Sequence, residues 1–291
     1  MRSILRHLGS GFEVFAPQFS EGTSRISSLL NMMQSEDMGD QMTGVSELCE
    51  YLSISTEDSM IMFPVDQVVP VLVKLLNSSP DLMLLSCRAI TLLVDVRPSS
   101  AKQISEQGGI EALCNKLVCI EYIDVAEQSI QAMGKISGSY PEILFERGAL
   151  NAILSFVDFF QIGIQRIAVS TAAKICSVLG AFTDDEVSVC VGSIVPTLEQ
   201  LMFSADNKIS LSACEALTSI SLNCKHRGKS VESVMGLDFL KQAIQKVCFL
   251  FYIIPIDTES KNEGVCVGGT IEYDHETLCV LCHVGSSVRM C

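Results

Sequence analysis

Val69-Pro70-Val71-Leu72-Val73-Lys74-Leu75-Leu76 can be laid over Ile110-Glu111-Ala112-Leu113-Cys114-Asn115-Lys116-Leu117. The same pattern returns at Leu150-Asn151-Ala152-Ile153-Leu154-Ser155-Phe156-Val157 and at Val195-Pro196-Thr197-Leu198-Glu199-Gln200-Leu201-Met202. Its anchors, Leu72, Leu113, Ile153 and Leu198, fall 41, 40 and 45 residues apart. Self-similarity at a fixed period in this range is the signature of a helical repeat array. A 34-residue tetratricopeptide period would drift by a helical turn or more at each step.

Each of these segments is followed by a second helical stretch with small residues at its centre, at Ala89-Ile90, Ser129-Ile130, Thr171-Ala172 and Ala216-Leu217. Breakers separate the units: Arg97-Pro98-Ser99-Ser100, Gly108-Gly109, Ser139-Tyr140-Pro141 and Gly148. Such residues close helices and permit tight reversals. An earlier unit, Ser28 to Ser53, shows the same spacing at Leu29, Leu30, Met33, Val45, Leu48, Cys49 and Leu52. No unit can bury its apolar face alone, so stacking must supply the core. The expected fold is all-α: a right-handed armadillo-type α-solenoid of about five repeats with an irregular C-terminal tail. The glycine before each unit and the Val-Pro pairs favour armadillo over HEAT. Residues 1–24 form an N-terminal segment expected to be flexible, residues 25–224 the repeat domain, and residues 225–291 a divergent, poorly ordered tail, the last 66 residues of which hold five of the thirteen cysteines.

Composition narrows the function. With 34 acidic against 20 basic residues the formal charge is −14, which repels phosphate backbones and anionic lipid heads. Nucleic acid and membrane are therefore not expected as partners. The longest apolar run, Val247 to Ile254, is too short to span a bilayer. No secretory signal precedes the cysteines, so they are read as reduced, and the chain as nuclear and/or cytoplasmic. The sequon Asn77-Ser78-Ser79 reads as a helix-ending turn.

The residues also carry a family likeness. Ser55-Thr56-Glu57-Asp58-Ser59 through Phe63-Pro64-Val65-Asp66, then Ile120-Glu121-Tyr122-Ile123-Asp124-Val125-Ala126-Glu127-Gln128-Ser129, and Phe156-Val157-Asp158-Phe159-Phe160 with Gln165-Arg166-Ile167-Ala168, resemble the armadillo units of HECT-type ubiquitin ligases of the plant UPL kind and of the animal thyroid-receptor-interacting kind. The likeness covers residues 25 to 222. It implies a module that recruits protein substrates for ubiquitin-dependent degradation, while a distant HECT lobe accepts ubiquitin on a cysteine. The chain is too short to include that lobe, and no catalytic residue is carried over. The competing reading is a free-standing armadillo scaffold unrelated to ubiquitin.

Candidate sites are few, and no cofactor or metal is expected. Cys279-Val280-Leu281-Cys282-His283, with Cys266 and His275, meets a metal or haem spacing, but lacks the paired cysteines at both ends of a zinc module. Asp124 is expected to cap a helix, with Glu127 at capping-box spacing. Gln165 and Arg166 begin a helix and are placed either to bond across to the next layer or to contact a partner, since exposed arginine is a common interface anchor. Peptide-binding armadillo proteins resembling importins carry an asparagine ladder. The corresponding positions here are Leu92, Ala132, Lys174 and Ser219, so the ladder is absent, and Lys174 is the third candidate partner contact. Leu113→Ala should cost roughly 2–5 kcal/mol through lost burial and a cavity, measurable by denaturant titration.

Overall fold

A computed structural model describes residues 25–118 and 120–226. The expectations for residues 1–24 and for the tail, with its cysteines and histidines, lie outside them. Twelve α-helices run through the described residues, with no strand among them. Helix α1 spans 25–33. It is followed by α2 (Met38–Ile54), α3 (Val65–Leu75), α4 (Pro80–Val96), α5 (Ser100–Glu106) and α6 (Gly109–Val118). Next come α7 (Ile123–Ile136), α8 (Pro141–Glu146), α9 (Ala149–Ser155), α10 (Ile162–Ser177), α11 (Asp184–Met202) and α12 (Asn207–His226). The chain divides into two compact units, with the boundary between Ala168 and Val169, inside α10.

In the first unit a short helix turns into a second helix, which returns into a long third one. Helices α5, α6 and α7 make one such triplet, and α8, α9 and α10 the next. In the preceding repeat the short helix shrinks to the 3-10 turn Asp58–Met60 ahead of α3 and α4. This three-helix unit is the armadillo repeat. Helix α4 packs on both α2 and α7, and α6 packs on α9, so equivalent helices of consecutive repeats cover one another. In the second unit α11 packs against α12. All four anchors are buried: Leu72, Leu113 and Leu198 completely, Ile153 nearly so. The seven apolar positions singled out between Leu29 and Leu52 are buried as well.

The reversals follow from local chemistry. Gly108 and Gly148 sit at φ 76° and 74° between the short and second helices, where a Cβ would strain the left-handed backbone. Gly109 begins α6 so close to the preceding turn that an added Cβ would lie 2.7 Å from Ile104 Cγ2. Asn77 and Ser78 form the turn that ends α3. Helix α11 opens with a capping box: the Glu186 carboxylate accepts the Thr183 amide at 3.1 Å and its hydroxyl at 2.6 Å, and these bonds hold its pKa below the usual 4.5. The helical run Ile162–Ala181 is long and apolar enough to cross a membrane by composition alone, yet 44% of that window is buried in the fold, its apolarity serving the repeat core at Ala168, Val169, Ala172 and Ile175.

One local expectation is corrected. Asp124 does not cap α7: the helix starts at Ile123, Tyr122 occupies the cap position, and no side chain caps the end. Asp124 lies within the first turn, where its charge complements the helix dipole without closing a capping box.

Gly148→Ala should lower stability by about 1–2 kcal/mol through the left-handed backbone. Gly192→Ala, on an exposed stretch of α11 with open space at the Cβ, should raise it by about 0.5–1 kcal/mol. Melting shifts of opposite sign check the pair.

Candidate interaction surfaces

The long third helices offer the positions at which armadillo proteins hold peptides, and burial fixes their register. Helix α4 buries Leu82, Ser86, Cys87, Ala89, Ile90, Leu93 and Val94. A shift of 43 residues carries all seven onto buried positions: Val125, Ser129, Ile130, Ala132, Met133, Ile136 and Ser137. A further shift of 39 lands on Ile164, Ala168, Val169, Thr171, Ala172, Ile175 and Cys176, again all buried. The position equivalent to Leu92 and Lys174 is therefore Lys135. Ala132, assigned to it from sequence, is fully buried. The slip is one helical turn, after which an amphipathic helix presents nearly the same apolar face. The corrected series, Leu92, Lys135, Lys174 and Ser219, still contains no asparagine.

Lys135 is not a vacant cation. Its Nζ pairs with Asp95 Oδ1, joining the ends of α7 and α4. Both side chains are half exposed, so solvent limits the pair to less than about 1 kcal/mol. Arg147 makes a second link between repeats: Nη1 donates to Glu111 Oε1 at 2.9 Å and Nε to Ser105 Oγ at 3.2 Å. Arg97 Nη1 donates to the Met60 and Phe63 carbonyls at 2.8 and 3.2 Å, closing the end of α4 over the turn that precedes α3.

The three candidate contacts do not form one patch. Gln165 is half-buried, and its Nε2 donates to the Phe160 carbonyl at 2.8 Å; the bond braces the turn before α10 and does not cross to the next layer. Arg166 is also half-buried, whereas Lys174 is exposed. Nine positions along α10 separate Gln165 from Lys174, about two and a half turns, which puts them on opposite sides of the helix axis.

Four of the described thiols are buried in the repeat core. Burial pushes Cys49 and Cys87 up to about 11 and Cys114 up to about 12, and raises Cys176 as well. Cys87 Sγ lies 3.6 Å from Ser129 Oγ in the seam between α4 and α7. Among the described residues no three His, Cys, Asp or Glu side chains come together to hold a metal ion.

Sequence reasoning overlooked the connections after α6 and α9. Val118, Tyr122, Ile123, Phe156, Phe159 and Ile162 are all exposed there. In Asp158-Phe159-Phe160, quoted above for the family likeness alone, only Phe160 is buried.

Comparison with known proteins places this array. Residues 11–146 match the family described as TRIP12-like E3 ubiquitin-protein ligase, TPR repeats. The chain carries the repeat region of the TRIP12-like E3 ubiquitin-protein ligases. It is 42% identical over 231 residues to E3 ubiquitin-protein ligase UPL3 of Arabidopsis thaliana, covering 76% of this chain and 12% of that one. Against E3 ubiquitin-protein ligase TRIP12 of Danio rerio the identity is 29% over 251 residues, covering 82% and 12%. Against ubiquitin fusion degradation protein 4 of Saccharomyces cerevisiae it is 28% over 278 residues, covering 91% and 18%. The chain thus spans 12% to 18% of the length of these relatives. A computationally designed armadillo repeat protein for modular peptide recognition shares its fold, with a TM-score of 0.61 at 16% identity over 75% of this chain and 91% of that one. The three-helix unit and the period near forty agree with armadillo geometry rather than with the repeat type in the family's description.

A thiol at about 11 is roughly one part in a thousand thiolate at pH 8, against about one in four for an ordinary cysteine. Cys49, Cys87 and Cys114 should therefore alkylate with iodoacetamide at least about 100-fold more slowly in the native chain than in urea. Peptide mass spectrometry of timed reactions measures the ratio.

Proposed function

We propose that residues 25–224 recruit protein substrates for a HECT-type ubiquitin ligase acting in ubiquitin-dependent degradation. The observation that carries this reading is that the likeness to E3 ubiquitin-protein ligases of plant and animal, and to a ubiquitin fusion degradation protein of yeast, covers 76% to 91% of this chain, so it takes in most of the repeat array. Repeat arrays bind through extended surfaces built from many layers, and two of the links found here, Lys135 with Asp95 and Arg147 with Glu111, join successive repeats and keep such surfaces in register.

The chain contributes binding rather than chemistry. Its buried thiols Cys49, Cys87, Cys114 and Cys176 are held far from the thiolate form that accepts ubiquitin. Unbonded, buried cysteines of this kind suit a reducing compartment, which supports the nucleus or cytoplasm as the place of action. Its partners are proteins, and the acidic balance argues against nucleic acid and anionic membrane.

The immobilised 291-residue chain should retain a substrate of a full-length TRIP12-like ligase, and added in excess it should slow that substrate's ubiquitination by competition. It should form no reducible adduct with ubiquitin when supplied with activating and conjugating enzymes. A pull-down beside the full-length ligase, followed by reducing and non-reducing gels, measures both. Failure to retain the substrate removes the recruiting reading, and a reducible adduct removes the non-catalytic one.

A further inference from the structure

The connections after α6 and α9 lie side by side in the first unit. Helices α6 and α9 are equivalent members of consecutive repeats and pack directly on one another; packed helices run about 8–10 Å apart. Their C-terminal ends consequently bring two clusters onto one edge, Val118, Tyr122 and Ile123 beside Phe156, Phe159 and Ile162, with Phe159 74% exposed.

Neither the fold nor the turn requires these residues. The equivalent turn of the preceding repeat, after α3, is Asn77-Ser78-Ser79-Pro80, with no large apolar side chain. Nor is the edge loose. Val157 and Phe160 are buried beneath it, the Phe159 amide donates to the Phe156 carbonyl at 3.0 Å, and Gln165 holds the Phe160 carbonyl. Aromatic side chains fixed on a braced turn lose little freedom when a partner covers them.

Charge selects the partner. Exposed Glu121, Asp124 and Asp158 interleave with the apolar side chains, and the neighbouring Glu121 carboxylate holds the Tyr122 phenol above its usual pKa. From Val118 to Asp124 and from Ser155 to Gly163 there is no lysine or arginine. A second copy of this chain, itself at −14, would set acid against acid. We propose that this edge docks a partner-protein segment in which aliphatic or aromatic side chains alternate with lysine or arginine: the apolar groups cover Tyr122, Phe156 and Phe159, and the cations pair with Glu121, Asp124 and Asp158. The proposal rests on the recruiting reading only for the partner being a protein.

Fluorescence anisotropy with a short labelled peptide alternating Leu or Phe with Lys or Arg tests it on the full chain. The peptide should bind, its counterpart with Glu for every cation should not, and added salt should weaken the complex. Phe159→Ser combined with Tyr122→Ser should weaken binding at least tenfold, and Asp158→Lys with Glu121→Lys should do likewise, all with an unchanged melting temperature because the altered side chains are exposed. Met62→Ser with Glu57→Lys, on the exposed connection between α2 and α3, should leave the affinity as it was. Equal binding by the edge variants, or equal loss in the Met62 variant, overturns the proposal even if the chain still retains ligase substrate. Edge-dependent peptide binding by a chain that retains no ligase substrate upholds the edge and removes the recruiting reading instead.

Discussion

Everything in the first unit depends on how closely α4 and α7 approach, because an armadillo repeat has no core of its own and each long helix must be covered by the next. Small side chains make that approach possible: Ser86, Cys87 and Ala89 on α4, with Ala126, Ser129 and Ala132 on α7, all buried. Ser86 Oγ has no hydrogen-bond partner, an omission that costs about 1–3 kcal/mol. A larger apolar residue would avoid the orphaned hydroxyl only by forcing the helices apart and thinning the contacts along both. Ser129 escapes the same cost by donating to the Val125 carbonyl at 2.8 Å, a bond made within its own helix turn that leaves the seam undisturbed.

From this constraint follows what the sequence could reveal. The second helices were legible because each places a large aliphatic anchor between two packing partners; Leu72, Leu113, Ile153 and Leu198 have no other position at which their spacing repeats. The third helices were legible as helices but not in register. Once the centre is filled by Ala, Ser and Thr, one turn looks like the next, and Ser129 was matched to Ala89 when the buried partner is Ala132. The short helices were invisible: α5 and α8, of seven and six residues, are shorter than the window over which a 3.6-residue period declares itself. Only the breakers at their ends marked them, residues 97–100 and 139–141 at the entrances and Gly108 and Gly148 at the exits.

The candidate site fared worse, and for a physical reason. Sequence patterns report which residues prefer burial, so a surface feature made of apolar residues is read as core. Phe159 and Phe160 are adjacent and identical in type, yet one packs beneath the turn and the other stands in solvent, a difference set by the 3-10 turn Val157–Phe159, which periodicity cannot foresee. Polar candidates misled in the opposite sense. Gln165 and Asp124 looked available for capping or contact, but one is spent on a neighbouring carbonyl and the other sits two residues past the cap position of its helix.

Acidity and apolar exposure have to be considered together. A formal charge of −14 opposes self-association and so offsets the tendency of an apolar edge to promote it. The same field raises the encounter rate with basic segments before any contact forms, and it does so without regard to their shape. Discrimination must then come from the short-range part, the side chains held rigidly enough to fit one arrangement and reject another. The charge is spread along the whole sequence, while among the described residues three exposed aromatic side chains, Tyr122, Phe156 and Phe159, cluster where α6 and α9 end. In the docking proposed above, steering therefore belongs to the acidic sequence as a whole, and selection to the two turns that follow α6 and α9.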